Sequence, residues 1–415
     1  MKYFLSILAL TACCSLPQAQ SPLQQILARL PMEVDTLLQQ PEKYRIQIVY
    51  TQIDRDAQNR PHFQTYTFGD TTQYFYPAST VKMPAAFMAL EKLNELGILG
   101  AGHNSPMLTG AGRAPQTAVD QDSTAANGLP SIAHYIKKIF LVSDNDAFNR
   151  LYEFLGQEYL NDRLRAKGYP HTRIVHRLSV SGFDTIGNRY TNPVSLLDST
   201  GNLRYFQGEA FSQCPPASMG IGSQQLGKGY MDANGQLVQK AFDFSFRNFM
   251  GLREMHDMLQ AVLFPEAVPA IRRFRLSKAD EELLLRAMSM LPGESDFPAY
   301  DSVEYYDRYV KFLMFGDSTG KPMPAHIRVF NKVGNAYGFL SDVAYIVDFR
   351  HQVEFMLAAT IHVNADGIFN DNKYEYDTIG YPFLGRLGRA VYDYELRRPL
   401  RHKPDLSKFM LDWKK

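Results

Sequence analysis

Cysteine is scarce. The 415-residue chain has 3, and Cys13 and Cys14 fall within its first 20 residues, which leaves Cys214. One thiol cannot staple a domain internally, so stability must come from a large core. No histidine lies near Cys214 in sequence to lower its pKa, so it reads as an incidental loop thiol. A charge excess is also missing. Lys+Arg is 44 against Asp+Glu 43, a net +1, which excludes general nucleic-acid binding by phosphate neutralisation. After the first dozen residues no apolar run approaches the ~20 residues that span a bilayer. No G-x-x-x-x-G-K-[ST] or G-x-G-x-x-G element points to a nucleotide cofactor. The 10 His include no H-x-x-x-H or H-x-x-H pair, so zinc has no local support. No cofactor and no metal are expected.

What is present is ordinary for a globular protein. Hydrophobic residues are 45% and charged residues 21%, which excludes disordered and fibrous classes. The length suits two or three domains, or one two-lobed body. Residues 1–20 read as an export signal. Lys2 is a short positive region, and Tyr3–Ala12 is an apolar run. Leu10-Thr11-Ala12-Cys13 resembles a bacterial lipobox, with Cys13 as the candidate lipidated residue; cleavage near Ala19 is the rival reading. Either leaves residues 21–415 exported, free in the periplasm or lipid-anchored.

The periodicity predicts a helix over 21–40, strands at 44–54 and 62–68, and an amphipathic helix over 78–96. Further helices are expected at 131–141, 146–155, 252–263 and 277–291, the last with a Ser277/Asp280 capping box. Strand patterns follow at 326–332, 340–349 and 353–362, then a helix at 382–394. Residues 170–230 look irregular. Strands at both chain ends with helices between predict an α+β fold: one mixed antiparallel sheet beside an all-helical lobe, with the active site in the cleft.

Three short motifs carry chemistry. Ser79-Thr80-Val81-Lys82 puts a hydroxyl and an amine on one helix face, where the amine can take the hydroxyl proton if its pKa is depressed. Read alone, it is an N-cap serine followed by a solvated lysine. Ser143-Asp144-Asn145 can relay a proton and hold a substrate amide, or simply cap a helix. Lys332-Val333-Gly334 offers a positive charge and a close backbone approach. In this order, S-x-x-K, S-D-N and K-x-G form the set of serine β-lactamases and penicillin-binding proteins. From about Tyr44 to Tyr394 the chain resembles the class A β-lactamase and penicillin-recognising serine hydrolase family. Tyr76-Pro77-Ala78-Ser79 is similar to its approach to the nucleophile. Ser341–Ile346 is similar to the strand after its K-T-G.

The resemblance implies an acyl-enzyme mechanism and a small-molecule or peptide substrate, a β-lactam or cell-wall-like amide. It implies Ser79 as nucleophile, Lys82 as its base, and Ser143 as proton shuttle to the leaving nitrogen. Asn145 would orient Lys82 and the substrate amide, and Lys332 would support Ser143 and attract a carboxylate. The N–H groups of Ser79 and Asn335 would form the oxyanion hole beside Gly334. Nothing requires more than a monomer.

Two departures bear on turnover. The middle hydroxyl of K-T-G is replaced by Val333. In the loop His176-Arg177-Leu178-Ser179, the place of the family's deacylating Glu holds Ser179; Asp184 is the nearest carboxylate downstream. Without a base to activate water an acyl-enzyme should persist. Poor β-lactam turnover is therefore expected. The alternatives are a true class A-type β-lactamase and a non-turnover penicillin-binding or sensing domain. The spacing from Ser143 to Lys332 exceeds the family's, and the excess within about 200–320 is expected to reshape the cleft rim.

Two decoys complete the reading. Gly316-Asp317-Ser318-Thr319-Gly320 matches G-x-S-x-G, and Ser318-Thr319-Gly320-Lys321 repeats S-x-x-K, but Pro322 and Pro324 forbid the helix either needs. Asp366, Asn370, Asp371 and Asn372 are expected to form a solvated turn rather than a calcium loop.

Overall fold

Pro31 decides how the chain starts. The expected helix over 21–40 is two short ones, α1 (Pro22–Leu27) and α2 (Met32–Leu38). Proline excludes its preceding residue from helical geometry and donates no hydrogen bond, so the helix must stop and restart there. In this computed structural model residues 20–213, 221–318 and 322–413 are described. The leader with Cys13, Cys214, and Thr319–Lys321 of the second S-x-x-K lie outside them.

Strands β1 (Gln47–Arg55) and β2 (Pro61–Phe68) form the N-terminal hairpin. Near the other end come β3 (Ile327–Ala336), β4 (Phe339–Asp348) and β5 (Val353–His362). They join in one antiparallel sheet of order β3-β4-β5-β1-β2, so β5 pairs directly with β1. Alternation along each strand sorts side chains to two faces. Ile46, Ile48 and Tyr50 pack with Leu340, Ala344 and Ile346, beneath α1, α2 and α9 (Tyr381–Glu395). Val49 and Ile53 pack with Val343, Tyr345 and Val347 on the face toward the helical lobe. Every residue of β4 is buried, which is why seven of its ten residues are apolar.

The helical lobe contains α3 (Lys82–Leu96), α4 (Ile132–Val142), α5 (Asn145–Leu155) and α6 (Gln157–Ala166). Also present are α7 (Leu252–Leu263) and α8 (Lys278–Ser289), the latter with its Ser277/Asp280 capping box formed. No sequence period announces α6: only Leu160 and Leu164 supply its buried apolar stripe, too few for a clear repeat. Residues 170–230 are less irregular than expected. Val194–Leu197 pairs with Leu203–Gln207 and with Met107–Thr109. No described helix is long and apolar enough to cross a membrane.

Candidate active site

The edge strand β3 meets the start of α3 at one point. Ser79 lies in a tight 3-10 turn (Ala78–Val81) that runs into α3, rather than in the α-helix the sequence predicts. Thr80 N and Oγ1 both donate to Pro77 O, at 3.1 and 2.7 Å. Ala78 adopts φ +48, a left-handed conformation that an alanine enters only at a cost. Gly334 of β3 faces this turn. A Cβ there would sit 2.5 Å from Pro77 O and 3.0 Å from Ser79 N, so glycine is required for the two backbones to approach.

Ser143 closes the third side. It is the left-handed C-cap of α4, and Asp144 caps α5 by accepting from Ala147 N at 2.8 Å. The S-D-N triplet is thus both a capping turn and a site element. Lys82 Nζ donates to Ser143 O, to Asn145 Oδ1 at 2.7 Å, and to Ser143 Oγ at 3.3 Å. Lys332 Nζ donates to Ser143 Oγ at 2.9 Å and to Val333 O at 2.9 Å. The Ser143 hydroxyl therefore lies between two amines. Ser79 Oγ hydrogen-bonds to no described residue and opens onto a cavity of about 680 Å³, lined also by Ser143, Asn145, Ser179, Val333 and Asn335. Val333 is buried, and its isopropyl offers this cavity no hydroxyl.

Burial sets the charges here. Lys82 is 0% exposed, and loss of hydration pulls its amine down to about 7, against the opposing charge of Asp144. Lys332 is held well below its ordinary range by burial first and by Lys82 second. Two amines so close in low dielectric cannot both stay charged cheaply. A neutral Lys82 keeps two N–H donors, enough for Ser143 O and Asn145 Oδ1, and its lone pair is left for a hydroxyl proton.

The loop after α6 supplies the fourth side. Asn149 fixes it by accepting from Leu178 N and donating to Leu178 O. Arg177 is anchored inward on Glu153 at 3.0 Å. Ser179, at φ +50, accepts from Asn145 Nδ2 at 3.0 Å. Asp184 points elsewhere: it accepts from Gly187 N at 2.6 Å and lines a separate cavity behind the loop. It closes a local turn and makes no hydrogen bond to Asn145. Among the described residues lining the main cavity, Asp377 is the sole carboxylate.

Several lining residues escaped the sequence reading. His176 stacks on Tyr76 with 5° between the rings, and its Nδ1 donates to Arg177 O at 2.6 Å. Burial holds its imidazole down to about 4, so it is neutral at pH 7. Tyr306, Arg308 and Tyr309 reach the cavity from the irregular segment before β3, and Arg247 and Tyr337 line it too. Ser318 of the decoy motif is on the same wall, but its neighbour Asp317 is spent on an ion pair with Arg389. Four non-glycine lining residues, Ala78, Ser143, Ser179 and Tyr337, have positive φ. Such concentration of backbone strain marks a functional site.

One cluster of metal-ligand type exists among the described residues, His326, Asp348 and His351. It lies at the end of β3 and β4 remote from Gly334. Asp348 is fully buried there and already accepts from two backbone N–H groups, His351 Nδ1 and Tyr392 OH. That set explains the cluster as a lock on the β4–β5 turn.

The chain spans 98% of a β-lactamase from Xanthomonas campestris pv. campestris, with 90% of its own length covered, 14% identity and a TM-score of 0.47. For a β-lactamase from Sphaerobacter thermophilus the figures are 98%, 88%, 13% and 0.46. For the L158E mutant of PBP-A, an acyl-enzyme complex with penicillin G, they are 95%, 87%, 13% and 0.44. No curated protein matches. The family model of the β-lactamase enzyme family matches residues 30–271, more than half the chain, including Ser79, Lys82, Ser143, Asn145 and Ser179. With its sheet built from both chain ends and its helical lobe, the chain belongs to the β-lactamase enzyme family.

Proposed function

We propose that residues 21–415 form one exported serine hydrolase, periplasmic or anchored through Cys13, which cleaves an amide or ester through an acyl-Ser79 intermediate and turns β-lactams over poorly. The carrying observation is Ser143 Oγ suspended between Lys82 and Lys332 at the mouth of the cavity onto which Ser79 opens. Ser79 Oγ attacks the substrate carbonyl as its proton passes to the Lys82 amine. The oxyanion is met by the Ser79 and Asn335 N–H groups. As the C–N or C–O bond breaks, Ser143 delivers a proton to the leaving atom and recovers one from Lys82 or Lys332. The acyl group stays on Ser79 until water attacks.

Ser179 supports slow release. A serine hydroxyl accepting from Asn145 is a far weaker base than a carboxylate. This weighs against an efficient β-lactamase. The intact lysine–serine network weighs against a pocket kept for sensing alone.

The test is intact-protein mass after incubation with excess penicillin G, with Ser79→Ala alongside. A long-lived adduct on the unsubstituted chain only is the expected result. Steady ring opening that vanishes in Ser79→Ala would overturn the slow-release reading. An intact drug with no adduct would move the substrate away from β-lactams.

A further inference from the structure

Two cations of the cavity, Arg308 and Arg247, have no ion-pair partner among the described residues, and Asp377, its one lining carboxylate, pairs with neither. Arg308 is only 4% exposed, yet it makes no ion pair or side-chain hydrogen bond with any described residue. Its Nε and Nη1 are sealed without partners, which leaves Nη2 as the nitrogen with access to the cavity it lines. A buried guanidinium without an acceptor is costly. An arriving anion would satisfy it with charge-assisted bonds. Arg247 lines the same cavity and is likewise unpaired, its guanidinium resting 5.5 Å from the Phe242 ring. Arg177, by contrast, is neutralised by Glu153.

The two arginines flank the nucleophile along β3. Asn331 Nδ2 holds Val310 O at 2.8 Å, placing the Arg308 segment beside Asn331. Tyr337, just beyond β3, packs 5.5 Å from Phe242, which carries Arg247. Asn331 and Tyr337 lie on either side of Gly334, the residue against Ser79, each about 10 Å along the strand. Lys332, which reaches the proton-delivering Ser143, is on the Asn331 side, so the leaving group faces Arg308 and the acyl group faces Arg247.

We propose that this hydrolase takes dianionic amides or esters, with one negative group on the acyl side held by Arg247 and one on the leaving side held by Arg308. The orientation rests on the acyl-Ser79 reading; the anion sites themselves do not. Val333 fits the same picture, because the motif position that could have hydrogen-bonded a substrate anion is apolar and a guanidinium from the rim takes its place.

Calorimetry on Ser79→Ala tests this with N-succinyl-3-aminobenzoate, a dianionic amide, its two monomethyl esters and its neutral dimethyl ester. The dianion should bind about tenfold or more tightly than the diester, as two charge-assisted contacts allow. Arg308→Gln should abolish the advantage of the benzoate carboxylate, and Arg247→Gln that of the succinyl carboxylate. Added salt should weaken the dianion and not the diester, a readout that needs no second substitution. Failure of the dianion to bind more tightly at millimolar concentration overturns the proposal, as does a preference that neither arginine substitution removes. Labelling of the unsubstituted chain at Ser79 by a neutral fluorophosphonate is scored separately: no label sinks the acyl-serine reading and leaves the binding test standing.

Discussion

Ser179 Oγ accepts a hydrogen bond from Asn145 Nδ2 at 3.0 Å, and the same amide's Oδ1 accepts from Lys82 at 2.7 Å. The loop is therefore tied to the proton-transfer network by a neutral hydroxyl. Ser179→Glu would put a carboxylate where a water attacking the acyl group could be deprotonated. The lifetime of the penicillin adduct should fall by about 10²–10⁴-fold, the usual worth of a positioned base, followed by mass spectrometry against time. An unchanged lifetime would mean that this loop position does not face the acyl carbonyl.

Acylation should depend on the protonation of Lys82. Burial pulls its amine from 10.5 to about 7, so the charged form is the one the fold disfavours. Below about pH 7 the amine is protonated and cannot accept the Ser79 proton. The rate of Ser79 labelling should rise roughly tenfold per pH unit there and flatten above it. Lys82→Arg, which stays charged, should label at a small fraction of the rate at every pH. A flat profile through neutrality in the unsubstituted chain would remove Lys82 as the base.

The residues of this network were readable because each sits in a short motif. Ser79 and Lys82 are three apart, and Ser143 and Asn145 share one capping turn. The sheet was readable because strands such as β4 are buried throughout and so mostly apolar. Arg308 was not readable. Its segment is irregular and is placed by a distant carboxylate: Asp342 of β4 accepts from Phe312 N and Leu313 N. No local pattern announces a loop held by a strand residue far along the chain. Arg247 and Tyr337 meet through Phe242 in the same way. Pro31 was visible, and its interruption of the first helix follows from its missing N–H.

Gly334→Ala should separate the strand from the nucleophile. The new Cβ would meet Pro77 O at 2.5 Å and the backbone N of Ser79 and Thr80 at 3.0 Å. Backbone atoms cannot swing aside as a side-chain tip can, so β3 or the Ala78–Val81 turn must move. A displacement of this kind typically costs on the order of 10² in rate. Ser79 labelling should slow accordingly while the circular dichroism spectrum is retained. Labelling within twofold of the parent would show that the approach is not needed.

Lys311 should matter to stability although it never reaches the cavity. It is fully buried, and its three donors meet Met288 O at 2.7 Å, Val329 O at 2.9 Å and Asn331 Oδ1 at 2.7 Å. Asn331 passes the contact on to Asp342 at 2.8 Å, whose carboxyl burial pushes up to about 6. Lys311→Met preserves the length of the side chain but leaves three buried acceptors unpaired and Asp342 without its nearby cation. The expected loss is about 3–5 kcal/mol, measured by urea unfolding. Asp342→Asn in the same background should recover part of it, because the stranded charge is then gone. The exposed Arg386–Glu33 pair should leave the midpoint unmoved when broken. A loss below about 1 kcal/mol in Lys311→Met would mean that the buried network contributes little. The segment carrying Arg308 would then be held against β3 by its bonds to Asp342 and Asn331 and by the packing of Val310, Phe312 and Leu313, without help from Lys311.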